Sequence, residues 1–292
     1  MWLDRIDREL DNLRAALATA LQQERRTALA LAAVLGPFWR RRFSSEGWQW
    51  LQAVLIAAPE PSPMRAKALM FAGSLARLHG DGVQARIWLE ESVHFWRAQP
   101  DPDYLGQALR HLGWAYYSLD PSQSIVYFEE SLALFRQLGH QQRVAQCLTD
   151  LAHLTHHVKA SYAQAAAYAH ESLGFMRKLG DQLGSANALM VLAELIELQG
   201  NYAESARLFN EAIDHFRLLD NKRGIIGGLV SLAENAWHRR AYNEACAQGE
   251  QALTLLEEVS GHQMELLLTW HFLGLATLDL GYQAQARELL QK

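Results

Sequence analysis

Apolar residues recur along the chain with the period of a helix. The stretch ALMVLAELIEL at residues 188–198 places them at positions i, i+3, i+4 and i+7, as expected for an amphipathic helix that buries one face. Short joints rich in glycine, asparagine or aspartate separate such stretches, for example LGD at Leu179 and QGN at Gln199. No segment shows the sustained alternation of a β-strand. The pattern therefore predicts an all-α chain of helices joined by tight turns.

These helices repeat about every 40 residues. A small residue follows the turn in each copy, at spacings of 38, 39, 41, 40, 40 and 41: Gly47, Ala85, Ser124, Ala165, Ser205, Ala245 and Ala286. Another precedes the turn: Gly73, Gly113, Ala152, Ala193, Ala233 and Gly274. A third lies seven residues after most of the first set: Ser92, Ser131, Ser172, Ala212 and Ala252, with Val54 at this position in the first copy. Small side chains let two helices approach closely, and a larger one would overpack the contact at a cost of about 1–3 kcal/mol.

The period predicts the architecture. Each copy forms a helix, a tight turn, a second helix and a short loop, and stacked copies form a right-handed α-solenoid superhelix. We expect an N-terminal helix over residues 1–22 and about seven repeats, near residues 24–60, 63–100, 102–138, 139–179, 180–220, 221–260 and 261–292. Pro37 lies within the first helix of the array and is expected to kink it. Pro121 suits the first turn of a second helix.

Composition narrows the range of functions. Half of the residues are hydrophobic and a fifth are charged, with a net charge of −5 and a pI of about 6.2. These values indicate an ordered chain and argue against electrostatic binding to nucleic acid or membranes. The only cysteines, Cys147 and Cys246, suggest neither a disulfide framework nor a zinc site, and both are expected to be buried. Without a secretory leader or a membrane-spanning run, the expected location is the cytoplasm.

The repeated residues resemble the tetratricopeptide repeat (TPR). That family places a small residue in the first helix, then Gly-Asp/Asn-Tyr at the turn, then alanine, an aromatic residue or leucine, and alanine along the second helix. The stretch LAELIELQGNYAESARLFNEAI at residues 192–213 follows this pattern closely. The period of about 40 residues exceeds the family's usual 34. The resemblance implies a TPR-like solenoid that binds a partner.

The N-terminal residues carry a narrower resemblance. The stretch WLDRIDRELDNLRAALATALQQ at residues 2–23 is similar to the helix that opens the repeat domain of LuxR- and maltose-regulator-like signal-transduction ATPases. The matching residues are Trp2, Leu3, Ile6, Glu9, Asp11, Asn12, Leu13, Arg14, Ala15, Ala16 and Leu17, with Leu10 between Glu9 and Asp11. The resemblance implies a sensor domain of a bacterial transcription regulator, with other domains of a larger parent protein as partners. The sequence has no GxxxxGK[ST] phosphate loop, so the family's ATPase site is not expected in it.

The first helix of each repeat is expected to line the concave groove of such a solenoid. Counted from the small residue of that helix, positions −7, −3, +1 and +4 face the groove. The candidate ligand-binding residues are Arg110, Trp114, Tyr117, Thr149, His153, His156, Asn187, Met190, Glu194, Glu197, Glu234 and Trp237, with Val230 in the same register.

Three of these candidates are large aromatic residues. Trp114, Tyr117 and Trp237 can anchor a peptide side chain or stack on a sugar or base. The alternative is that they fill gaps between repeats.

Three others are acidic. Glu194, Glu197 and Glu234 are expected to form a patch beside Arg110 that would receive the cationic end of a ligand facing the later repeats. The alternative is a solvated helix face.

Metal binding and catalysis are not expected. His153 and His157 lie one turn apart with His156 beside them, but a metal site needs a third ligand, and Asp150 is the only close carboxylate. No nucleophile is paired with a base in a recognisable context. We therefore expect a non-enzymatic chain without a metal or cofactor.

The sequence favours an interaction or sensor domain. Its groove would bind a peptide, a protein or a small effector, with no direct role for nucleic acid or membrane. The alternative is an architectural solenoid that mediates self-association or holds a parent protein in an inhibited state.

Overall fold

The computed structural model describes residues 5–6, 8–159, 161–258 and 263–291. Within these ranges the chain forms sixteen helices and no strand, which confirms the predicted all-α solenoid. None of the helices described there is both long and apolar enough to cross a membrane. The chain divides into two compact units, residues 1–140 and 141–292.

The described part of unit 1 contains eight helices. They are α1 (Leu10–Gln23), α2 (Arg25–Val34), α3 (Gly36–Arg42), α4 (Ser44–Ala57), α5 (Pro63–Leu78), α6 (Gly82–Ala98), α7 (Pro102–Tyr116) and α8 (Pro121–Gln137). Helices α5 and α6 pack as one hairpin and α7 and α8 as the next, while α5 also contacts α7 directly. The first helices of these two hairpins therefore lie side by side.

Unit 2 is built in the same way from four hairpins. Its helices are α9 (Gln141–Lys159), α10 (Tyr162–Leu179), α11 (Gln182–Leu198), α12 (Tyr202–Leu218), α13 (Lys222–His238), α14 (Tyr242–Leu256), α15 (Gln263–Asp279) and α16 (Gln283–Leu290). Each first helix contacts the next, from α9 through α11 and α13 to α15. Side chains on one face of these four helices are therefore close enough to contact the same ligand.

The first repeat departs from a simple hairpin. Helix α2 ends at Val34, Leu35 interrupts it, and α3 begins at Gly36 with Pro37 in its first turn. A proline lacks the N–H that would continue the preceding helix, so the expected disturbance takes the form of an interruption at Leu35. A Cβ at Gly36 would overlap the Phe71 ring, which shows how closely α3 approaches α5.

Small residues occupy the contacts between paired helices. Ser124 of α8 donates a hydrogen bond from Oγ to the Gly113 carbonyl oxygen of α7 at 2.7 Å, and Ser131 donates to the Gly106 carbonyl oxygen at 2.7 Å. A Cβ at Gly113 would lie 2.7 Å from Phe128 Cε1. The repeated small positions therefore allow close packing, and the serines satisfy their own hydroxyls inside it.

Backbone conformation sets the turns between helices. In the part of the chain that the structure describes, five glycines have φ between 66° and 90°: Gly80, Gly139, Gly180, Gly200 and Gly281. Glycine enters this left-handed region without steric cost. After Gly80, Gly180 and Gly200 the next helix is capped by a side chain, as where Asp181 Oδ1 accepts a hydrogen bond from Gly184 N at 2.8 Å.

Arg240 occupies such a turn position although it is not glycine. Its φ is 61°, a conformation that costs a residue with a Cβ about 1 kcal/mol or more. Its side chain is exposed. We expect Arg240→Gly to raise the free energy of unfolding by about 0.5–1 kcal/mol, because the released strain exceeds the added freedom of glycine in the unfolded chain.

Urea denaturation of the variant and the parent chain measures this gain. The reverse change is Gly200→Ala, at a residue whose φ is 82°. An added Cβ there meets no atom within 4 Å, so the substitution tests backbone strain alone. It should lower the free energy of unfolding. Equal or lower stability of Arg240→Gly would contradict the interpretation.

Candidate functional site

The first-helix face of unit 1 combines aromatic and cationic side chains. Trp114 on α7 packs against Tyr117 with ring centroids 5.5 Å apart, and against Phe128 at 5.6 Å in an edge-to-face arrangement. The Arg77 guanidinium of α5 lies 5.7 Å from the centroid of the Trp114 ring. Arg110, one turn before Trp114, is half-buried. Trp114 therefore packs inside the hairpin and remains partly open on this face.

Arg77 was not among the candidates from the sequence, although a signal for it exists. It lies four residues after Gly73, the small residue of its first helix, which is the register of Tyr117 in the next repeat. The structure places it, exposed, over Trp114. The same counting rule extended to the second repeat would have found it.

In unit 2 the three acidic candidates form one electrostatically coupled cluster. Glu194 and Glu197 lie on α11, Glu234 lies on the neighbouring α13, and the charges of Glu194 and Glu234 both act on Glu197. The Glu197 Oε1 atom is buried and has no hydrogen-bond partner. Glu197 and Glu234 are thus held at partly desolvated positions near other carboxylates, which opposes their own ionisation.

The acidity of the cluster follows from this placement. Burial raises the pKa of Glu197 to about 7, with the charges of Glu234 and Glu194 adding to it, although the Asn235 amide and the Arg239 guanidinium oppose the shift. Burial likewise raises the pKa of Glu234, with the Glu194 charge in the same direction and His238 against it. A cation brought to this face would lower both pKa values.

Two histidines border the acidic cluster. His153 Nδ1 on α9 lies 3.6 Å from Glu194 Oε2, and His238 Nε2 lies 3.8 Å from Glu234 Oε1. Burial by itself would lower the pKa of His153, but the Glu194 carboxylate and the Asp150 charge outweigh it, so the pKa of His153 is raised. His153 therefore belongs to the cluster through Glu194.

Apolar side chains accompany the cluster on the same helices. Met190 lies one turn before Glu194 on α11 and is half-buried, while Asn187 is exposed. Trp237 of α13 donates a hydrogen bond from Nε1 to Asp279 Oδ2 at 2.9 Å, and its ring lies 6.5 Å from that of Phe272. Trp237 thus contributes to inter-helix packing while its side chain stays partly exposed.

Two residues placed by register are engaged in packing. Val230 is 6% exposed and belongs to the hydrophobic core of unit 2, so its expected exposure to a groove was wrong. Thr149 Oγ1 lies 2.8 Å from Ser172 Oγ and 3.1 Å from the Ala145 carbonyl oxygen, which ties it to the contact between α9 and α10. The side chain of His156, like that of His157, lies outside the described residues.

Metal-ligating groups do not converge in the part of the chain that the structure describes. No group of three or more histidine, cysteine, aspartate or glutamate side chains there could hold a metal ion. Cys147 is fully buried as expected, whereas Cys246 is only half-buried, with Sγ 3.8 Å from Thr277 Oγ1.

Solved structures match the chain in fold. NprR in complex with its cognate peptide NprX has a TM-score of 0.72 at 14% identity, over 99% of this chain and 87% of that one. A Rap protein complexed with competence and sporulation factor has a TM-score of 0.69 at 15% identity, over 98% and 85%. No family model matches the chain, and no curated protein matches it in sequence.

A third match is a signal transduction ATPase with numerous domains that has a TPR sensor, from Pyrococcus horikoshii. Its TM-score is 0.64 at 12% identity, and the match covers 99% of this chain but 44% of that protein. At these identities the comparisons show the fold alone. The chain has a TPR-like α-solenoid fold, as the repeated residues predicted.

Proposed function

We propose that this chain is a binding domain that recognises a peptide or protein segment on the faces formed by its first helices. The observation that carries the proposal is the cluster of Glu194, Glu197 and Glu234 on the adjacent helices α11 and α13. Burial and mutual repulsion raise the pKa of two of these carboxyls. A cationic group of a ligand would relieve that repulsion, so the site favours a positively charged segment.

The neighbouring side chains add an apolar requirement. Met190 precedes Glu194 by one turn, and Trp237 follows Glu234 by three residues, so both lie beside carboxylates on the same helices. Half-buried methionine and tryptophan side chains bind apolar groups over a large area. We infer a ligand that carries an apolar side chain next to a lysine, an arginine or a free amino terminus.

A peptide is the ligand class that the fold supports best. NprR, which shares the fold over nearly the whole chain, was solved with its cognate peptide. An extended segment can reach side chains on successive first helices, which a compact small molecule does less readily. The unit 1 candidates Arg110, Trp114 and Tyr117 belong to the same proposal.

The binding domain would act within a bacterial signalling or transcription regulator. A ligand that contacts several first helices stabilises the arrangement of hairpins to which it binds best, and the difference in affinity between arrangements limits the size of the response. The likeness to the TPR sensor of a multidomain ATPase supports this role.

Binding of short synthetic peptides measured by fluorescence anisotropy tests the proposal. We use peptides with one apolar residue flanked by lysines, and matched peptides with glutamines in place of the lysines. The lysine peptides should bind more tightly, and Glu194→Lys should weaken their binding by about fivefold or more, because it converts attraction to repulsion.

Glu250→Lys is the matched control. It makes the same charge change on the exposed side of the second helix α14, and it should leave the affinity unchanged. If no peptide binds at concentrations up to about 1 mM, the weak end of specific affinity, the proposal fails and an architectural role is favoured. It also fails if Glu194→Lys and Glu250→Lys weaken binding equally.

A further inference from the structure

We propose that unit 1 carries a separate small-molecule site, a groove between the second helices α4 and α6 that binds an uncharged ligand with an apolar body and an amide group. This Trp88 groove is lined by Gln52, Leu55 and Ile56 of α4, Arg65 of α5, and Gln84 and Trp88 of α6. Its volume of about 430 Å³ lies within the range of about 300–1,000 Å³ that is typical of small-molecule sites. The site is independent of the peptide binding proposed for unit 2.

The apolar part of the groove lies where two helices pack on a third. Helices α4 and α6 both pack against α5. Trp88 is half-buried and packs against the hydrophobic cluster that contains Leu55. Ile56 is 82% exposed, the largest exposed fraction of any large hydrophobic side chain in the described part of the chain. An apolar ligand would remove Ile56 and the open part of Trp88 from water, which favours binding.

The groove also offers hydrogen-bonding groups that the fold does not use. Within the described residues, the side chains of Gln52, Gln84 and Trp88 make no hydrogen bond. Each glutamine amide can both donate and accept, and the indole N–H can donate. Both glutamines are half-buried, so a ligand amide can pair with them at positions where water has limited access. These groups match a ligand that carries a carbonyl oxygen and an N–H.

The charge in the groove is already balanced. Arg65 is 12% exposed, with Nε 2.9 Å from Glu91 Oε1, and Nη1 donates to the Leu55 and Ala58 carbonyl oxygens at 2.8 and 3.0 Å. Nη2 has no hydrogen-bond partner among the described residues, so it can donate to a ligand carbonyl. A charged ligand would lose hydration without gaining a net counter-charge, because Arg65 and Glu91 together are neutral.

Three probes of similar size test the inference on the full chain: phenylbutyramide, phenylbutyrate and phenylbutylammonium. The protein is labelled with fluorinated tryptophan, and the fluorine resonance of Trp88 is identified by its loss in Trp88→Phe. Phenylbutyramide should shift this resonance in a saturable manner with a Kd of about 1 mM, as expected for a probe of this size. The two charged probes should bind about fivefold more weakly or worse, because Glu91 already balances Arg65.

Glutamine-to-leucine variants test the polar contacts with little change in side-chain size. Gln52→Leu and Gln84→Leu should each weaken the binding of phenylbutyramide by about threefold or more, the effect of one lost hydrogen bond. Gln248→Leu is the matched control, at a half-buried glutamine of the second helix α14 that does not line the groove. Arg65 is kept, since its bonds to the α4 carbonyl oxygens serve the fold. Thermal denaturation confirms that each variant is folded.

The outcomes are distinct. A preference for the amide that both groove variants reduce and Gln248→Leu retains supports the site. The inference is overturned if no probe shifts the Trp88 resonance at up to about 10 mM, tenfold above the expected Kd, or if phenylbutyrate binds more tightly than the amide. Equal weakening by all three glutamine variants also overturns it. Glu194→Lys in unit 2 should leave the affinity for the amide unchanged, so either site can fail while the other stands.

Discussion

Replacing Gly228 by alanine is expected to lower the free energy of unfolding by about 1–3 kcal/mol, whereas the same change at the adjacent Gly227 should raise it by about 0.5–1 kcal/mol. Both glycines lie within α13. A Cβ at Gly228 would lie 2.5 Å from Ile213 Cγ1 of α12, so the Ile213 side chain or one of the two helices must shift. A Cβ at Gly227 meets no atom within 4 Å, and alanine there only improves helix propensity.

Chemical denaturation of the two single variants measures both changes in the free energy of unfolding, at neighbouring positions of one helix. Each variant is the other's control, because the residue types, the change and the element are identical. Opposite signs support the assignment of Gly228 to a close contact between paired helices. Destabilisation of similar size at both sites would show instead that the helix itself depends on glycine.

Replacing Glu197 by glutamine is expected to raise stability at neutral pH and to leave it nearly unchanged in acid. Burial raises the pKa of Glu197 from 4.5 to about 7 in the folded chain. Between these values the unfolded chain releases the proton while the folded chain keeps it, so the free energy of unfolding falls as pH rises. The stability associated with the protonated carboxyl is fully present below pH 4.5 and is lost through about pH 7.

The expected advantage of Glu197→Gln at about pH 8 is roughly 1–2 kcal/mol, a figure reduced for the solvent exposure of the side chain. The charged groups around the cluster are the same in the variant and the parent chain: Glu194, Glu234, His153, Asp150, His238, His271 and Arg239. Denaturation curves for both proteins across this pH range measure the difference.

The exposed Glu250→Gln substitution removes a charge elsewhere in unit 2, and its curve should run parallel to that of the parent chain. A constant offset between Glu197→Gln and the parent from acid to about pH 8 would contradict the raised pKa. An advantage that appears only above about pH 5 would support it.

The repeat was readable from the sequence because its causes are local. Helical periodicity, a small residue at each helix contact and glycine at each turn are properties of short stretches, and the structure confirms the all-α solenoid that they predict. Ser124 and Gly113, chosen only by spacing, meet across the α7–α8 pair. Pro37 predicted a disturbance in the first helix for an equally local reason, a missing N–H.

Which side chains are accessible was decided by tertiary structure. Register assigned Val230 and Glu234 alike to a groove, but Val230 is buried in the hydrophobic core of unit 2 whereas Glu234 is half-exposed. The sequence allowed two interpretations of Trp114 and Trp237, as anchors for a ligand or as side chains that fill gaps between repeats. In the structure both side chains pack against neighbouring rings and remain partly exposed, so the outcome lies between the two. Exposure depends on the neighbouring helices as well as on position within one helix.

The sequence by itself determined the helices, their pairing and the acidic and aromatic character of the candidate faces, because composition and period belong to the chain. Only the tertiary structure brought Arg77 over Trp114 and buried Glu197 Oε1 without a hydrogen-bond partner. The physical reason is that desolvation and coupling between charges depend on distances between side chains that are far apart in sequence. Those distances underlie the charge preference that we propose and that the peptide experiments test.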